Sequence, residues 1–404
     1  MKDITGTVLR EDYIKKLDAA RDRTDVAKII TGVRRCGKST LMMQYMEHLR
    51  NAGVDDDQLF YINLESEDNM EITDHLKLGD IIKKNIRKDI RMYVFFDEIQ
   101  RVTSWERNLN SLMVDYDADI YITGSNAYLL SSELATYISG RYAEIKMLPL
   151  SFKEYLELHP SFASEEKGFN AYLRYGALPP VDPTADDSFI TDYLQGIYNT
   201  VLVKDVLKRL ELRNPGVLER LSLFMYSNMG SLTNVLKISQ HLRVSPNTIR
   251  NYLTALEEAY IVYKAERYDV RGKKILSSIE KYYASDLGLR NAMIGWKNEE
   301  DIGRMIENIV YLELRRRGYN VMVGSFRDAE VDFAAFRGDR VEYYQVTRSM
   351  LSEEVSERET RSFKMIADSY PKTILSLDKI LVDPGGGIRH ANLLDWLLGR
   401  DGQM

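Results

Sequence analysis

Gly32-Val33-Arg34-Arg35-Cys36-Gly37-Lys38-Ser39-Thr40 decides how this chain is read. The stretch satisfies G-x-x-x-x-G-K-[ST] at every fixed position, and its flanks are the ones that pattern requires. Residues 26–31 before it are a short apolar run, which predicts a buried strand. Residues 41–49 after it carry apolar side chains at helical spacing. Strand, glycine loop and helix together predict a phosphate cradle. Glycine lets the backbone wrap tightly, so that successive N–H groups point at phosphate oxygens, and the helix N-terminus adds the positive end of its dipole. Lys38 is expected to reach the β- and γ-phosphates and Ser39 to bind Mg²⁺, with Gly37 and Thr40 completing the grip on the phosphates.

A second motif strengthens the first. Arg91-Met92-Tyr93-Val94-Phe95-Phe96-Asp97-Glu98 is an apolar strand ending in two acids, the Walker B pattern. Asp97 is expected to hold Mg²⁺ as a hard oxygen ligand, directly or through water. Glu98 is expected to orient and polarise the attacking water as general base. A third strand, residues 119–124, turns abruptly polar at Ser125 and Asn126. In a doubly wound sheet its end lies beside the Walker B end, so either residue can meet the γ-phosphate or the lytic water. A turn and helix N-cap explains them equally well. Arg141, ahead of the strand-like residues 143–148, suits a bidentate contact to the γ-phosphate, within its own subunit or across an interface as an arginine finger. It reads equally as a surface arginine at a strand start.

These stretches resemble the AAA-type ATPases of bacteria and archaea that carry a C-terminal domain of unknown function. The resemblance is carried by residues 32–40 with the paired Arg34 and Arg35, by residues 95–100, 123–126 and 139–141, and more loosely by 172–176, 330–333 and 344–346. It implies ATP binding and hydrolysis, and assembly into a homo-oligomer of the hexameric kind. Gly32, Arg34 and Arg35 join the expected nucleotide contacts on this ground.

Bulk properties agree with a large soluble enzyme. The 404 residues allow two or three domains, and 44% hydrophobic residues argue against disorder. No apolar run approaches the roughly 18 residues of a membrane span, and the N-terminus lacks a signal-peptide core. Cys36 is the only cysteine, so no intrachain disulfide forms and a cytoplasmic location is expected. It fills a variable loop position, or is a point where oxidation blocks nucleotide. The net charge of −6 excludes a broadly basic surface, though not a local basic face. The five scattered histidines show no metal-ligand spacing.

The expected fold is α/β: a P-loop AAA-type core with a mostly parallel sheet over 1–150, a helical lid over 151–212, a winged helix-turn-helix over 213–276, and an α/β nuclease-like domain over 277–404. In the third segment, residues 235–242 predict a short helix. Ser245 then caps a second helix, with Pro246 at its first position. Residues 261–265 and 274–276 would form a wing around Arg271 and Lys273. Asn247, Thr248, Arg250 and Asn251 would lie near the start of the reading helix, with Arg267, Arg271, Lys273 and Lys274 available for DNA phosphates. Structural or protein-docking use of such a domain is the alternative. In the last segment, Glu307 on a helix, Asp332 on a strand, and Gln345 and Thr347 on the next resemble the PD-(D/E)xK nuclease layout. An acid and a lysine belong where Gln345 and Thr347 stand, so cleavage is expected to be lost. The overall expectation is an ATP-driven protein acting on DNA; the alternative is a nucleotide-gated switch that binds protein partners.

Overall fold

β1 (Ala27–Thr31) is buried at all five positions, as a strand with parallel neighbours on both sides must be. The computed structural model describes residues 4–125, 140–207, 215–296, 301–326 and 329–401. β2 (Leu59–Asn63), β3 (Met92–Asp97), β4 (Ala118–Gly124) and β5 (Tyr142–Lys146) complete an all-parallel, five-stranded sheet in the order β2-β3-β4-β1-β5. α1 (Glu11–Ala19), α2 (Lys38–Asn51), α3 (His75–Asn85) and α4 (Glu106–Asp115) cover it. On one face Ile29, Val94, Phe96, Ile120 and Ile122 pack with Leu78 and Ile82 of α3 and Leu109 and Leu112 of α4. On the other, Tyr121 stacks on Phe95 and meets Tyr45 of α2. The alternation of strand and helix read from the sequence is therefore the observed one. The fifth strand stops at Lys146 rather than at residue 148. The C-terminal ends of β3, β4 and β1 lie side by side, which brings the glycine loop and the acid pair to one edge.

This unit comprises residues 1–149 and 258–260; residues 150–257 and 261–404 form a second. The second begins with helices: α5 (Phe152–Leu158), opened by a Ser151–Glu154 capping box, then α6 (Glu165–Tyr175), α7 (Asp187–Thr200), a π-helical turn Val201–Leu207, and α8 (Pro215–Ser227). Its remaining elements are β6 (Leu232–Thr233), α9 (Val235–Leu242), α10 (Pro246–Glu258), β7 (Val262–Asp269), β8 (Lys274–Ala284), α11 (Leu287–Ile294), α12 (Ile302–Arg316), β9 (Asn320–Phe326), β10 (Ala329–Arg337), β11 (Arg340–Val346), α13 (Glu353–Lys364), β12 (Lys372–Ser376), β13 (Ile388–Asn392) and α14 (Leu393–Leu397). The strands form one mixed sheet in the order β13-β12-β11-β10-β9-β7-β8-β6. The β7–β8 hairpin is joined to β9 by parallel pairing, so it is not a separate appendage. The segment boundary expected after residue 276 falls inside β8.

Asp286 ties the helices of this unit together. It N-caps α11 through Leu289 N–H and also accepts Ala177 N–H at 2.6 Å. Gly176 follows α6 at φ +76°, where a Cβ would stand 2.2 Å from Asp286 Oδ1. Only glycine lets the chain turn so near that carboxylate.

Candidate active site

The loop after β1 is shaped by close approach. Gly32 takes φ +150°, and a Cβ there would stand 2.2 Å from Met147 O. Arg35 and Gly37 also take positive φ, 71° and 103°. The loop curls so tightly that Lys38, the first residue of α2, turns its Nζ back onto Gly32 O at 2.9 Å and Val33 O at 3.2 Å. Buried Arg10 braces the loop from beneath, donating to Cys36 O at 3.4 Å and Leu148 O at 2.9 Å. Cys36 is buried. Arg34 pairs with Glu65 at 3.7 Å, and Arg101 shares that carboxylate at 2.5 Å; Arg35 is exposed.

Four neutral donors aim Asp97. Ser39 Oγ donates to its Oδ1 at 3.0 Å and Thr123 Oγ1 at 2.5 Å. Tyr61 Oη and Asn63 Nδ2 donate to Oδ2 at 2.9 and 3.1 Å. The Ser39 and Asp97 oxygens are hard donors. Their 3.0 Å separation matches the spacing of adjacent ligands on an octahedral ion at about 2.1 Å, so the pair fits Mg²⁺. A triphosphate and water would fill the other positions. Glu98 lies beyond the strand at φ 58°, with its N–H bonded to Thr123 Oγ1 at 2.9 Å. Ser125 is buried 3.4 Å from Gln100 Nε2; Asn126 lies outside the described residues.

Arg141 is corrected in one respect. β5 runs parallel to β1, and Arg141 precedes its first residue, with its carbonyl accepting Ala27 N–H. It therefore sits at the N-terminal edge of the sheet, a strand length (five residues, about 16 Å) from the loop end. Its guanidinium contacts Asn110 Oδ1 at 2.9 Å. That places it out of reach of a γ-phosphate held by its own chain.

In the second unit α10 shows Asn247, Arg250 and Asn251 to solvent and buries Ile249, Tyr252 and Leu253. Ser245 Oγ accepts Thr248 N–H at 3.1 Å, and Arg250 donates to Asn247 Oδ1 at 2.9 Å. Arg271, Lys273 and Lys274 are exposed at the hairpin turn. Arg267 is not free for phosphate, because it turns back onto Ser325 Oγ at 2.8 Å.

Glu307, Asp332 and Gln345 do converge, but around a cation the sequence reading missed. Lys281 of β8 is buried, with its Nζ 3.2 Å from Glu307 and 2.7 Å from Glu330. Burial works against its charge, yet Glu307, Asp332 and Glu330 outweigh it and raise its pKa. Asp332 accepts Val346 N–H at 2.8 Å; burial, then Glu307, pushes its pKa well above the usual range. Gln345 donates to Glu359, a second missed acid, at 2.8 Å, and Arg358 closes on the same group. Thr347 is buried and brings no charge. Among the described residues no three His, Cys, Asp or Glu are placed to hold a metal.

Ser376, His390 and Asp378 have the composition of a hydrolytic triad and the wrong proton order. His390 Nδ1 accepts Val382 N–H at 3.1 Å, so Nε2 carries the proton and donates to Ser376 Oγ at 2.8 Å, which lies 3.0 Å from Asp378. A histidine that donates to the serine cannot deprotonate it.

No helix among the described residues is long and apolar enough to cross a membrane. Residues 24–156, which span the glycine loop and acid pair, match the family described as an AAA domain. Residues 166–300 match a domain of unknown function, DUF8612. An uncharacterized protein of Haemophilus influenzae is 38% identical over 400 residues, covering 97% of this chain and 98% of its own length. An uncharacterized protein of Methanocaldococcus jannaschii is 30% identical over 357 residues, covering 83% of this chain and 78% of its own. AMPPCP-bound DnaA from Aquifex aeolicus aligns over 62% of this chain and 88% of DnaA, at 15% identity and a TM-score of 0.31. The matched AAA region is the one that holds the Gly32 loop and Asp97, and the chain belongs to one family with these Haemophilus and Methanocaldococcus relatives.

Proposed function

We propose that the chain binds and hydrolyses Mg-ATP and uses the cycle to act on DNA. The observation that carries the first part is the Ser39–Asp97 contact, which joins the phosphate loop to the Walker B acid at Mg²⁺ spacing. Lys38 neutralises β/γ charge, Asp97 and Ser39 hold the metal, and Glu98 takes the proton of the attacking water. Arg141, remote from its own loop, serves as a finger in a neighbouring subunit's site, which requires a homo-oligomer. The DNA reading is supported by the exposed Asn247, Arg250 and Asn251 of α10 and the basic hairpin turn, the parts a winged helix-turn-helix uses. Cleavage is not proposed, since Lys281 already pairs with Glu307 and Glu330, and Gln345 and Thr347 stand where an acid and a lysine belong.

ATP turnover with and without duplex, fork and junction DNA tests both parts. Glu98→Gln should keep nucleotide affinity and lower hydrolysis about a hundredfold or more, as loss of a general base does. Normal turnover in that variant rejects the assignment. Failure to bind any DNA form at low ionic strength rejects the DNA reading. The closed acid cluster favours a second reading, a nucleotide-gated switch for a protein partner; turnover indifferent to DNA and stimulated by protein would select it.

A further inference from the structure

Glu98 is held in an uncomfortable place. Its φ of 58° and ψ of 48° lie in the left-handed region, which costs a residue with a Cβ about 1–2 kcal/mol. Such strain persists only where neighbours over-determine it. Two bonds do so here, and both lead toward β4. The Glu98 N–H donates to the buried Thr123 Oγ1 at 2.9 Å, and the same hydroxyl donates to Asp97. At the other end Gln100 Nε2 donates to Glu98 Oε2 at 2.5 Å and lies 3.4 Å from Ser125 Oγ. Thr123 lies in β4 and Ser125 directly follows the strand's last residue, Gly124.

We propose that Gln100 is a positioning residue for the reaction: braced by Ser125, it holds one oxygen of Glu98 and leaves the other to take the proton of the lytic water. A neutral amide suits the task. It orients the carboxylate without cancelling the charge a base needs, as a lysine there would. Thr123 fixes the backbone from which that carboxylate projects. The inference rests on the ATP-hydrolysis reading.

Two variants of the 404-residue chain test it, with ATP turnover and equilibrium ATP binding measured on each. Gln100→Ala should lower kcat about tenfold with KM and ATP affinity within twofold. Gln100→Glu keeps the shape and replaces the donor with a second carboxylate. With no N–H left to hold Glu98, kcat should fall at least as far as in Gln100→Ala, again with KM within twofold. Gln100 is exposed, so its variants should fold, and urea unfolding verifies this. An unchanged kcat in either variant, or a rise in KM alone, overturns the proposal while ATP hydrolysis stands. No turnover in the unaltered protein sinks the hydrolysis reading and this one with it.

Discussion

Gly32 carries the sharpest steric demand in the candidate site. A Cβ there meets a backbone carbonyl, Met147 O, at 2.2 Å, and backbone cannot swing aside as a flexible side chain can. Gly32→Ala should cost about 1–3 kcal/mol and abolish ATP binding, read by urea unfolding and equilibrium dialysis. His390 carries a pH signature. Burial keeps its folded pKa below the usual 6.5. Between the two values the unfolded chain binds more protons, so this contribution is present above about pH 6.5 and falls away on acidification. Asp286 has the opposite sign: burial raises it to about 6, against three backbone N–H bonds, so its contribution is full at low pH and lost as pH rises through about 6. His390→Gln keeps an acceptor for Val382 and a donor for Ser376. The unaltered protein should lose more stability than this variant between pH 7 and 5.5. Parallel pH profiles would refute the account. The Ser376–His390–Asp378 group also shows why residue types alone misread chemistry, since Val382 N–H decides which nitrogen holds the proton.

At the scale of elements, β1 and β4 share a buried ion pair. Lys28 Nζ contacts Asp119 Oδ1 and donates to Arg23 O at 2.7 Å; Asp119 Oδ2 accepts Asp22 N–H and Tyr121 Oη, each at 2.8 Å. Every polar atom of the pair named here is bonded, which is what lets two charges sit in the interior. Lys28→Met should cost about 3–5 kcal/mol, because it leaves Asp119 buried and uncompensated. A loss under 1 kcal/mol in urea unfolding would mean that the carboxylate is neutral without its partner. The strand pattern of the first unit was legible because parallel strands covered on both faces are continuous apolar runs. The second unit was legible in its helices, where Ser245 and Pro246 mark the start of α10. Its sheet was not. β8 runs on to Ala284 through the polar residues Glu280 and Lys281, because Lys281 faces acids from α12 and β10 rather than water. No local pattern signals a lysine that is satisfied only across the sheet.

On the scale of the whole molecule, a ligand that binds one unit stabilises that unit. ATP at a hundred times its Kd should add about 2.7 kcal/mol to the AAA unit. With Mg²⁺, the rise should vanish in Lys38→Ala. For DNA, Arg250→Ala and Lys273→Ala should each reduce the salt slope of binding by about one if they touch phosphate; an unchanged slope in both would remove α10 and the hairpin turn from the interface. The loop, the two acids and the parallel core were readable by eye, since each is a contiguous run whose chemistry depends on neighbours in the chain. Tertiary structure alone decided that Arg141 lies at the far edge of the sheet from its own loop, that Thr123, Tyr61 and Asn63 aim Asp97, and that Lys281 occupies the acid cluster. The reason is physical: strand direction and cross-sheet contact bring together residues far apart in sequence, and a one-dimensional pattern holds no record of those distances.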